Sequence, residues 1–140
     1  MPLVPFPSDD VRAAFERAVY EVAFPEGHQE FSVGAHATFV PTFVIVTAWN
    51  PAGTELCSDE NVARNSGLRA AIRARGWRCL PAENRALDGS HVEPGFAILD
   101  VPPGEVGALA VRFGQGAVFV WDGREGRIMW LDRGVPGRSG

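Results

Sequence analysis

Lysine is absent from this chain: all 13 basic residues among its 140 are arginine, set against 17 acidic ones, for a net charge of −4. The arginines form no basic stripe, so the electrostatic footprint of a nucleic-acid binder is missing, and no nucleic-acid partner is expected. Cysteine is scarce. Cys57 and Cys79 stand far apart without a Cys-x-x-Cys spacing, which excludes a disulfide framework; reduced thiols and a cytoplasmic location are expected. Long apolar runs are also missing. The longest uncharged stretch, Phe31 to Thr54, is broken by Gly34, His36, Pro41, Asn50 and Pro51, too often for a membrane span. The opening Met-Pro-Leu-Val-Pro-Phe-Pro lacks the basic-then-apolar order of a secretory signal. There is no Gly-Lys phosphate loop and no Ser/His/Asp arrangement in a recognisable context. Gly114-Gln115-Gly116 follows a predicted helix, the wrong order for a dinucleotide fingerprint. His91-Val-Glu93 lacks a third ligand. No cofactor and no metal are expected.

The length and the 46% apolar content suit one domain with a real core, taken as residues 1–134, with 135–140 as a disordered tail. Ser8 before Asp9-Asp10 predicts a helix start. Tyr20 to Phe24 alternates as a strand, and Pro25-Glu-Gly27 turns it back towards a partner at Glu30 to Gly34. Thr42 to Ala48 carries apolar residues on both faces, the pattern of a central strand covered on two sides. A helix runs from Ser58, its expected cap, to about Arg75, and Gly76 ends it. Strands follow at Trp77 to about Leu80 and near Gly95 to Val101, separated by a polar loop from Glu83 to Ser90. Pro102-Pro-Gly104 opens a helix with the stripe Val106, Leu109, Ala110 and Phe113. Ala117 to Trp121, the turn Asp122-Gly123, and Arg127 to Leu131 make a terminal hairpin. This order predicts an α+β fold with a ferredoxin-like split βαβ core (βαββαβ), preceded by an N-terminal helix and hairpin and extended by a C-terminal edge strand.

Thr47-Ala-Trp-Asn-Pro51 breaks the central strand abruptly, and Asn61 and Asn65 then fall on the helix face that continues as Leu68 and Ile72. A buried amide without partners costs about 1–3 kcal/mol, so two on a core stripe must pair. Two readings stay open: a network of carboxamides fixing the loop to the helix start, or part of that network facing a ligand. In the ligand reading, Thr47, Trp49, Asn50, Ser58, Asn61, Asn65 and Gln115 form a polar cleft. It suits a nucleotide-like or amide-bearing metabolite, because carboxamides read mixed donor and acceptor edges. Carboxamides do not ionise, so chemistry would need Glu93 as a base or acid; otherwise Glu93 is a solvated loop-edge carboxylate. Trp49 either closes the strand end or stacks on a ligand. Cys57 precedes the helix as a nucleophile or an ordinary small side chain. Arg69, Arg73 and Arg75 read as a solvated face.

Several of these residues carry a resemblance. Thr47-Ala-Trp-Asn-Pro51, Asn61 with Asn65 and Leu68, Glu93 with Phe96, and Phe113-Gly-Gln-Gly-Ala-Val-Phe119 are similar to the pattern of an uncharacterised bacterial family, domain-of-unknown-function family 3293. Ala18 to Val22 is a weaker match, and Pro94 departs from the small polar residue expected after Glu93. The resemblance implies a site around these residues and no transferable activity. A small-molecule-binding domain, monomeric or homodimeric, is the leading expectation. Its rivals are a protein-interaction module without a ligand and a small hydrolase using Glu93 or Cys57.

Overall fold

A computed structural model describes residues 8–36, 41–51 and 54–131; the expected tail at 135–140 lies outside them. Ser8 caps α1 (Asp9–Arg17), its Oγ accepting from the Val11 N–H at 3.2 Å. The hairpin is β1 (Val19–Phe24) and β2 (Gly27–Phe31), whose return strand starts earlier than the spacing suggests. Next come β3 (Phe43–Val46), α2 (Ser58–Ala74), β4 (Cys79–Arg85) and β5 (Val92–Leu99). The chain then makes α3 (Pro103–Arg112), β6 (Ala117–Trp121) and β7 (Gly126–Trp130). Cys57 rather than Ser58 holds the cap position of α2, and Gly76 takes the left-handed φ of +73° that ends it.

All seven strands join one antiparallel sheet in the order β2-β1-β4-β5-β3-β6-β7. The expectation of a ferredoxin-like βαβ sandwich with an appended hairpin and edge strand is therefore corrected. β4 runs on to Arg85, and its last four residues pair with Val19 to Val22, so the N-terminal hairpin extends the sheet instead of standing apart from it. The sheet then curls into a half-barrel.

The side chains of β3 explain the curl. Val44 and Val46 join Leu68, Ile72, Ile98, Val106 and Leu109 beneath α2 and α3. Phe43 and Ile45 point the other way, into a second core with Tyr20, Val22, Phe31, Phe119 and Trp121. An open sheet with helices on one face would leave those rings in water. Here Tyr20 stacks on Phe119 at 4.2 Å, and Phe31 meets Phe43 and Trp121 at 4.9 Å each. Rings of this size bury about 150–250 Å² apiece, enough to draw the sheet ends together. The segment after β2 reaches the start of β7, with the Gly34 N–H donating to the Gly126 carbonyl at 2.9 Å and His36 bridging to Glu125. α1 covers one end of this concave face: Phe15 packs edge-on against Trp130, and its carbonyl accepts from the Tyr20 hydroxyl at 2.8 Å.

Candidate functional site

Asn50 adopts a left-handed φ of 44°, a conformation that asparagine tolerates better than most residues. The chain thereby leaves β3 and turns towards α2. Asn61 locks the turn. Its Oδ1 accepts from the Asn50 N–H at 2.8 Å, and its Nδ2 donates to Asn50 Oδ1 at 2.8 Å and to the Leu56 carbonyl at 3.2 Å. Asn50 Oδ1 also accepts from the Leu56 N–H at 3.0 Å. One helical turn later Asn65 ties the segment leaving β3 to β5, its Oδ1 accepting from the Ala48 N–H at 2.8 Å and its Nδ2 donating to the Pro94 carbonyl at 2.9 Å. Thr47 Oγ1 donates to that same carbonyl at 2.5 Å and accepts from the Trp49 N–H at 3.0 Å. Arg64, which no sequence motif marks, donates to the Ala48 carbonyl at 2.9 Å and the Phe113 carbonyl at 2.6 Å. Its place one residue before Asn65 on the buried side of α2 was the available signal.

The carboxamides thus satisfy backbone groups where β3 stops and no further ladder is available. Gln115 does the same for the turn after α3, its Nε2 lying 3.3 Å from the carbonyls of Trp49 and Phe113. Ser58 is exposed at the first turn of α2. The candidate residues do not converge on one concavity: Thr47, Glu93 and Gln115 line one, Trp49 and Asn65 line another on the opposite face of the β3–β5 end, and Asn50, Ser58 and Asn61 line neither.

On the concave face, Thr47, Glu93 and Gln115 meet Tyr20, Asn84 and Phe15 around a cavity of about 20 Å³, room for roughly one water. Glu93 lies within β5, not on the loop before it, and pairs across the sheet with Asn84. Its side chain is 18% exposed, with Oε2 2.7 Å from His91 Nε2. Burial pushes the Glu93 carboxyl above its ordinary 4.5, an effect partly offset by hydrogen bonds from His91 and Asn50. Burial also raises the Tyr20 hydroxyl, helped by the Glu93 charge.

The fold therefore favours protonated Glu93. Its contribution to stability is present in acid and is lost as pH climbs from about 4.5 through the raised native value. Glu93→Gln should match the wild type near pH 4 and become the more stable of the two at neutral pH, with the gap widening across that window in urea titrations. A gap that stays constant, or widens towards acid, would show that the carboxyl is not penalised by its site.

On the helix face, Trp49 and Asn65 line a groove of about 610 Å³ between α2 and the β4–β5 edge. Trp77, Phe96, Pro81 and Pro94 give it flat apolar walls, and Arg69 and Arg73 are the charged residues of the lining. Cys79 lies within it, its thiol raised by burial and partly relieved by the two nearby guanidinium charges. Arg69 and Arg73 are thus wall residues of a groove as well as part of the expected solvated face, and Trp77, expected only as the start of a strand, joins them. Only the pairing of β4 with β5 brings Trp77 and Pro81 opposite α2. Among the described residues no group of three or more metal-ligating side chains forms, and no helix is long and apolar enough to cross a membrane.

Compared with known proteins, residues 46–118, slightly more than half of the chain, match a family described as protein of unknown function (DUF3293). No curated protein and no solved structure matches. The matched segment runs from the end of β3 to the start of β6 and contains the whole carboxamide network and both concavities except Phe15, Tyr20, Ile45 and Phe119.

Proposed function

The chain belongs to DUF3293, and we propose that it is a small-molecule-binding domain whose ligand occupies the groove between α2 and the β4–β5 edge. The observation that carries this reading is the groove itself. At about 610 Å³ it falls within the roughly 300–1,000 Å³ of ordinary ligand sites, and two tryptophans and Phe96 supply the apolar wall such sites use. Trp49 stacks on the ligand. Asn65 presents the amide hydrogen and lone pair left over from its two backbone bonds. Thr47, Asn50, Asn61 and Gln115 hold the Trp49 loop in place, and Ser58 lies outside the contact. A second reading, proton transfer at Glu93, is favoured by that residue's raised proton affinity. The cavity beside it admits about one water, so a substrate would have to displace α1.

Cysteine footprinting tests the groove. Cys79 is part of its lining, whereas Cys57 is exposed at the head of α2. An aromatic fragment that raises the melting temperature should slow alkylation of Cys79 at alkaline pH and leave Cys57 unchanged. Binding fragments that never protect Cys79 would place the ligand elsewhere.

A further inference from the structure

We propose that the ligand of this groove is a planar aromatic anion, a ring system bearing a carboxylate or phosphate; the proposal rests on the binding role just described and specifies its chemistry. In a chain of net charge −4, no aspartate or glutamate lines the groove, and both charged residues that do are arginine. Arg69 and Arg73 are four residues apart on α2, so they lie on one helix face with Cβ atoms about 5–6 Å apart, a spacing at which two guanidiniums can share one anion. Arg64, Arg75, Arg78 and Arg85 all hydrogen-bond within the protein. The guanidinium groups of Arg69 and Arg73 make no ion pair or hydrogen bond among the described residues, so their forks are free to receive an anion. Apolar walls concentrate the field of such charges, and their influence reaches the Cys79 thiol in the groove. Arg75 lies outside the lining but sits over the Trp77 ring at 5.5 Å from its centroid, which adds positive charge beside that wall. The walls select the other half of the ligand, because Trp49, Trp77 and Phe96 offer flat faces that suit a ring more than a flexible chain.

One ring with three charges tests this. Naphthalene-2-carboxylate, naphthalene-2-carboxamide and naphthalen-2-ylmethylammonium are titrated by calorimetry at low ionic strength. The carboxylate should bind about ten-fold more tightly than the amide, as a charge-assisted pair to arginine allows, and the ammonium most weakly. Arg69→Gln and Arg73→Gln should each reduce carboxylate affinity about three-fold or more. Together they should bring it to the level of the amide while leaving amide affinity and the circular dichroism spectrum unchanged. An amide that binds as tightly as the carboxylate would overturn the anion assignment and leave the groove standing. If none of the three binds or protects Cys79, the groove reading falls with it.

Discussion

Gly95→Ala is expected to destabilise the domain by about 3 kcal/mol or more, at the upper end of what overpacking costs. A Cβ at Gly95 would lie 2.4 Å from the Val46 carbonyl oxygen and 3.1 Å from Thr47 Cβ. The first of these is backbone in a central strand, so it cannot rotate away. Relief would require β5 to move off β3 just where Pro94 offers its carbonyl to Thr47 and Asn65, and those two bonds would loosen as well. Gly104→Ala is the matched control: a Cβ there meets nothing within 4 Å, in the first turn of α3, so the change should be neutral or slightly stabilising. Urea unfolding of the two variants should give a midpoint far below wild type for Gly95→Ala and one at or above it for Gly104→Ala. A Gly95→Ala midpoint near wild type would mean that β3 and β5 do not approach so closely.

Asn61→Ala should cost about 2–3 kcal/mol, because it strands the Asn50 N–H and the Leu56 carbonyl in a site where Asn61 itself is 2% exposed. Asn61→Asp separates shape from hydrogen bonding. It keeps an acceptor for the Asn50 N–H but sets a second oxygen against Asn50 Oδ1 and the Leu56 carbonyl. That variant should be at least as unstable as Asn61→Ala at neutral pH and should recover towards acid, where the new carboxyl can donate. Equal stability of Asn61→Asp and wild type at neutral pH would mean that the amide hydrogens are not committed to the loop.

Much of the local structure was legible from the residues. The two-faced run Phe43 to Val46 marked a strand with a core on each side. Asn61 and Asn65 on the Leu68–Ile72 stripe marked a loop needing partners. The prolines hid the rest. Pro81 and Pro94 lie inside β4 and β5, where sequence alone argues for an end of strand. Each is tolerated because its second neighbour is absent: β1 pairs with β4 only from Ala82 onward, and β3 with β5 only from Phe96 onward. That arrangement depends on which strands become neighbours, which no local pattern encodes. A short β4 leaves β1 with no visible partner besides its hairpin mate, so the half-barrel, the approach of Tyr20 and Asn84 to Glu93, and the groove beside Trp77 could not be foreseen. Asn61 and Asn65 lie on the buried face of α2, but the carboxamides bond mainly to backbone groups and to one another and do not open into one shared cleft.

A single side-by-side titration bears most directly on the division of labour between amides and groove. Naphthalene-2-carboxylate is titrated into folded Asn61→Ser and Trp77→Ala, each compared with wild type under conditions where all three are native. The serine variant, in which the Trp49 loop loses part of its anchorage, should keep most of its affinity, whereas the tryptophan variant should lose most of its own. Loss of binding at Asn61 with full retention at Trp77 would overturn the groove assignment and put the ligand among the carboxamides.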